Sequence, residues 1–79
     1  WAGVVTGTLN ADVITGGAGS DTLSGGAGGD TITGGSGAAT INGNDGTDTI
    51  TAGAGGGTIT GGLDADSITT GAGTDIMSL

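Results

Sequence analysis

A branched aliphatic residue or Met stands at every ninth position through most of this chain: Ile14, Leu23, Ile32, Ile41, Ile50, Ile59, Ile68 and Met77. Cutting the sequence at Gly7 gives eight successive nine-residue units with no insertion. They read GTLNADVIT, GGAGSDTLS, GGAGGDTIT, GGSGAATIN, GNDGTDTIT, AGAGGGTIT, GGLDADSIT and TGAGTDIMS, and end at Ser78. A fixed period of this kind marks a repeat architecture, in which each unit buries its apolar residue only against its neighbours. It also argues against the flexible spacer that composition alone suggests. The chain has 22 Gly, one aromatic residue and a net charge of −8, which would ordinarily read as disorder. A disordered linker has no physical reason to keep an aliphatic side chain in step.

The unit is too rich in Gly, and its period too far from 3.6, for a helix. Its last three positions, Thr31-Ile32-Thr33 for example, read as a short strand with β-branched residues flanking one inward aliphatic. Its first six positions read as a turn, in which Gly supplies positive φ without steric cost. One unit is then one strand and one turn, and two units make an 18-residue coil with a strand on each of two faces. The expected fold is all-β, a parallel β-solenoid of about four coils. Residues 1–6 form a lead-in segment, residues 7–78 the repeats, and residue 79 a terminus or the start of a following segment. Trp1 in place of an initiator Met suggests an excerpt or a processed form.

All eight charges are Asp, and the chain contains no Lys, Arg, His, Cys, Glu, Gln, Phe, Tyr or Pro. Phosphate recognition needs Lys or Arg, so nucleic acid is not an expected partner. An anionic lipid surface is disfavoured for the same reason, and no apolar run is long enough to span a membrane. Without Cys there are no disulfides or thiolate metal sites. The many Ser and Thr hydroxyls have no His or Lys to activate them, so no enzymatic activity is expected.

Six of the eight charges share one place in the unit, the sixth: Asp12, Asp21, Asp30, Asp48, Asp66 and Asp75, with Ala39 and Gly57 as the exceptions. A core one side chain wide is little to hold such a chain, and stacked carboxylates repel. An external cation answers both deficits. Hard cations such as Ca²⁺ take six to eight oxygens from carboxylates and carbonyls, and Gly-rich turns leave carbonyls bare. The alternative for each Asp is turn chemistry, a carboxylate capping its own turn.

GGAGSDTLS and GGAGGDTIT resemble the nonapeptide GGxGxDx(aliphatic)x of the repeats-in-toxin (RTX) family, a known calcium-binding β-helix pattern. GNDGTDTIT is similar to a variant with Asn at the second place. The resemblance runs over 72 residues. It implies a right-handed parallel β-roll with two repeats per coil, Ca²⁺ held between turns of adjacent coils on one edge, sixth-place Asp residues bridging successive ions, and loop carbonyls completing the shell. It further implies a secreted or cell-surface protein of a Gram-negative bacterium, exported by a type I route and folding on meeting external calcium.

Phase separates the two edges. Odd-numbered units carry Asp12, Asp30, Asp48 and Asp66, an unbroken column. Even-numbered units carry Asp21, Ala39, Gly57 and Asp75. The expectation is up to three ions on the odd edge, between Asp12 and Asp30, Asp30 and Asp48, and Asp48 and Asp66, with weak binding or none on the other. Asp45 and Asp64 are read as solvated turn residues rather than ligands. Two other functional classes stay open. The apolar ends, Trp1 to Val5 and Ile76 to Leu79, suit docking onto neighbouring domains or stacking of copies into a fibre or surface layer, with Ala38, Ala39, Ala54 and Gly57 allowing lateral packing. Outward Thr columns are similar to ice-binding faces, although Thr also suits any exposed strand.

Overall fold

The computed structural model describes residues 4–73 and 75–78; the side chains of Asp75, Met77 and Ser78 lie outside that description. Each nine-residue unit yields one strand, and residues 4–6 ahead of the first unit yield another. In chain order these are β1 (Val4–Thr6), β2 (Val13–Thr15), β3 (Asp21–Ser24), β4 (Thr31–Thr33), β5 (Ala39–Asn42), β6 (Thr49–Thr51), β7 (Gly57–Thr60), β8 (Ser67–Thr69) and β9 (Asp75–Ser78). No helix occurs among the described residues. The strands sort by parity into two sheets, β1-β3-β5-β7-β9 and β2-β4-β6-β8. Every pairing is parallel and in register at an offset of 18 residues, as in Ile14 with Ile32 and Ile32 with Ile50. The chain is a β-solenoid of about four coils, as the period requires.

The core is the eighth column. Leu23, Ile32, Ile41, Ile50 and Ile59 are buried completely or nearly so, Ile14 almost as deeply, and Ile68 packs partly buried against them. The shortest dimension of the molecule is 12 Å, which matches two sheets back to back with one layer of side chains between them. Outward positions carry hydroxyls. On the four-stranded sheet, Thr31, Thr49 and Ser67 follow Val13 in one column, and Thr15, Thr33, Thr51 and Thr69 fill the next.

Three features depart from the sequence reading. Val4–Thr6 is not only a lead-in: β1 pairs with β3 and places Val5 opposite Leu23, adding a rung ahead of the first unit. The inward face is wider than one residue per unit. Alternation along β3 and β5 turns the sixth position inward together with the eighth, so Asp21 and Ala39 are buried, and Asp30 and Asp48, immediately ahead of β4 and β6, are buried as well. Ala39 therefore belongs to the core and offers no outer surface for lateral packing. Ala52, at the first place of its unit, is also buried in the core cluster. Finally, strands of odd units have three residues, but those of even units have four. The cause lies in the Asp column.

Candidate metal centre

The odd edge is a ladder in which each carboxylate reaches back one coil. Asp30 Oδ1 accepts from the N–H of Asp12 at 2.8 Å, Asp48 Oδ1 from the N–H of Asp30 at 2.8 Å, and Asp66 Oδ1 from the N–H of Asp48 at 2.9 Å. In an ordinary parallel sheet that N–H would donate to a carbonyl of the next strand. The even edge does this: Asp21 donates to the Ala38 carbonyl at 3.1 Å and Ala39 to the Gly56 carbonyl at 3.2 Å. The residues one coil further on, Ala39 and Gly57, have no carboxylate to offer. So the sixth position joins the strand on the even edge and leaves it on the odd edge, which accounts for the extra residue in β3 and β5; β7 keeps it as well, with Gly57 paired in register with Asp75.

The second carboxylate oxygen is the one that points to a ligand. Oδ2 of Asp30 and of Asp48 is buried and has no hydrogen-bond partner in the structure. Each lies against the first Gly of its own unit, beside the carbonyl of the corresponding Gly one coil later. A Cβ on Gly25 would meet Asp30 Oδ2 at 2.5 Å and the Gly43 carbonyl oxygen at 3.0 Å; one on Gly43 would meet Asp48 Oδ2 at 2.5 Å and the Gly61 carbonyl oxygen at 2.6 Å. Glycine is thus required at these first places because a methyl group would occupy the oxygen-lined cradle.

These carboxylates lie between like charges with no basic side chain anywhere in the chain. Burial pushes the Asp48 carboxyl up to about 6, with the neighbouring charges of Asp30 and Asp66 adding to the rise and the hydrogen bond from the Asp30 N–H opposing it. An ionised carboxylate taken out of water needs a compensating charge. Here that charge must come from outside, as a proton or a metal ion. Among the described residues no group of three or more acidic side chains gathers where one ion could sit. The carboxylates stand in file, so any ion between coils must draw most of its ligands from backbone carbonyls. An oxygen-only set of this kind fits a hard cation, and its irregular geometry suits Ca²⁺ better than the strictly octahedral Mg²⁺.

The family pattern described as RTX calcium-binding nonapeptide repeat (4 copies) matches residues 6–41, 28–59 and 51–79. The chain belongs to this family. No curated protein and no solved structure matches it. As RTX repeats wound into a β-roll, the chain is a calcium-binding structural module, and Ca²⁺ is the ion its oxygen cradles fit.

The sequence-predicted residues separate within the roll. Asp12, Asp30, Asp48 and Asp66 form one column, linked directly by the hydrogen bonds above. Asp21 stands apart on the even edge, buried, with Gly16 beside it; a Cβ there would meet Asp21 Oδ2 at 2.8 Å and the Gly34 carbonyl oxygen at 2.5 Å. Asp75 pairs with Gly57 in the backbone register, but its carboxylate lies outside the described side chains. Asp45 is exposed. Asp64, exposed and at φ 71°, accepts from the Gly46 N–H at 3.1 Å, a weaker copy of the Asp ladder at the fourth position. Turn chemistry of the local kind is found at Asp12 alone among the odd-edge four, whose Oδ2 accepts from the Thr8 N–H at 2.6 Å. Sequence reasoning missed that contact; its only signal was Thr8 at a place where the next odd units have Gly26, Asn44 and Gly62.

Proposed function

We propose that this RTX roll is a calcium-dependent folding and spacing module of a secreted or cell-surface protein, with no catalysis of its own. The ions lie along the odd edge, in the column of Asp12, Asp30, Asp48 and Asp66, centred on Asp30 and Asp48, and carbonyls such as those of Gly43 and Gly61 supply further oxygens. The even edge, interrupted at Ala39 and Gly57, holds an ion weakly if at all, through Asp21 or Asp75. One observation carries the reading: two buried carboxylate oxygens, Oδ2 of Asp30 and Oδ2 of Asp48, have no protein donor, in a chain without a basic side chain. Left ionised and uncompensated, they oppose folding. Clamped by a divalent ion, they tie one coil to the next. A secreted setting follows from the need for abundant external calcium, since loose, carbonyl-rich sites belong to the weak end of the calcium affinity range; type I export from a Gram-negative cell is the route such repeats imply.

The test is circular dichroism of the chelated chain during a Ca²⁺ titration, with Mg²⁺ as control. A rise of β signal with Ca²⁺ and little response to Mg²⁺ is expected. Full β structure in excess chelator overturns the calcium requirement.

A further inference from the structure

We infer that Thr8 closes the first rung of the odd edge with protein hydrogen bonds, so that the Asp12 cradle takes no ion and the metal file begins at Asp30. The inference rests on the calcium reading above.

The backbone surroundings of Asp12 match those of its successors. A Cβ on Gly7 would meet Asp12 Oδ2 at 2.7 Å and would also strike the Gly25 carbonyl oxygen, as in the Asp30 and Asp48 cradles. What differs is the donor set. Asp12 Oδ2 accepts from the Thr8 N–H at 2.6 Å, and the Thr8 hydroxyl lies 3.1 Å from Oδ2 and 3.3 Å from Oδ1. The hydroxyl oxygen in turn accepts from the Asn10 N–H at 3.2 Å, which holds it in place. The equivalent oxygens of Asp30 and Asp48 have no partner.

The cause is one side chain. In the later odd units the second place is Gly26, Asn44 or Gly62, and all three sit in the left-handed region at φ 89°, 69° and 97°. A β-branched residue is a genuine outlier there, and Thr8 is not among the residues with positive φ. Its turn is therefore built differently, and its N–H and O–H both face the carboxylate. Two donors aim their positive hydrogen ends at the oxygen a cation would need. An ion entering the cradle would meet a like partial charge and would have to break a short charge-assisted hydrogen bond, the stronger class of such bonds. Thr8 thus does for Asp12 what calcium does for Asp30 and Asp48, and the first coil can close without metal.

Calcium stoichiometry of the full chain, by titration calorimetry, reads this directly. Thr8→Gly is expected to bind one more ion per chain than the parent. Hydrogen exchange on the calcium-loaded parent gives a second reading that needs no fold-altering variant. The Thr8 amide is expected to be protected, and to exchange faster by about tenfold or more in Asp12→Asn, as loss of a hydrogen bond to a charged acceptor predicts. A Thr8 amide exchanging freely in the loaded parent overturns the inference, as does an Asp12→Asn chain that loses an ion. A parent that binds no calcium at all defeats the calcium reading and this inference together; binding through Asp12 defeats the inference alone.

Discussion

On the odd edge the N–H of Asp30 donates to the carboxylate of Asp48; on the even edge the N–H of Ala39 donates to the carbonyl of Gly56. The two positions are equivalent in the repeat, and the backbone runs the same way through both. What separates Asp30 from Ala39 is whether the residue 18 places further on carries a carboxylate, as Asp48 does and Gly57 does not. At Asp30, where it does, a side chain takes over the ladder bond, the strand begins one residue later, and Asp48 carries a second oxygen into the interior without a hydrogen-bond partner. Where it does not, the ladder simply extends, and a methyl group such as that of Ala39 joins the apolar core. The contrast shows how one side chain per unit changes which group serves a backbone N–H in the next coil.

The largest effect expected from this contrast comes from removing calcium. Chelation should unfold most of the roll, and amides of the odd-unit strands β4 and β6 should lose hydrogen-exchange protection at higher free calcium than those of the even-unit strands β5 and β7. Loss of protection in the reverse order would break the comparison.

Next in size is Asp48→Asn. It removes the central buried charge of the odd edge, and in calcium it should cost about 3–5 kcal/mol, the range for breaking a buried charge pair. Chemical denaturation at saturating calcium measures it; a cost no greater than that of a surface substitution would show that Asp48 clamps nothing.

In chelator, pH should act on the same residue with the opposite sign from calcium-loaded protein. The Asp48 carboxyl is raised from 3.8 to about 6, so the native state holds its proton more tightly than the unfolded chain. That stability is fully present below pH 3.8 and is lost as pH rises through 6, by no more than about 3 kcal/mol at 1.36 kcal/mol per unit. In chelator the β signal by circular dichroism should therefore be larger at pH 4 than at pH 7, with the order reversed once calcium is present. Equal β signal at the two pH values in chelator would mean that burial of Asp48 has no energetic consequence.

The smallest effect is reserved for the even edge. Ala39→Gly should cost about 1 kcal/mol, the ordinary penalty of Gly against Ala in an ordered segment, and the same amount at every calcium concentration. A calcium-dependent cost would place an ion where the structure has a methyl group.

Much of this was legible in the residues. The eighth column gave the core residue by residue, from Ile14 to Ile59, because an aliphatic side chain repeated at a fixed interval has only one place to go in a stacked coil. The sixth column marked the candidate ligands for the same reason. Less visible was the inward turn of that sixth position. Reading the first six residues of each unit as a turn treated Asp30 and Asp48 as lining a loop, whereas both side chains are buried and each carboxylate reaches back to an N–H of the preceding coil. Thr8 was missed because its effect runs through backbone conformation: as a letter it is one more Thr in a chain full of them, and only its place among Gly26, Asn44 and Gly62 gives it meaning. The strand β1 was obscured because Val4-Val5-Thr6 stands ahead of the first full unit.

The sequence by itself settled the coil length, the parity of the two sheets, the identity of the core column and the oxygen-only chemistry available to a ligand. Each follows from a pattern that repeats locally. Tertiary structure alone decided which donor serves each sixth-place N–H, which carboxylate oxygen ends without one, and which rung closes on itself. Those outcomes depend on backbone groups 18 residues away and on the φ of single turn residues, and a hydrogen-bonding partner of that kind leaves no mark in composition or period.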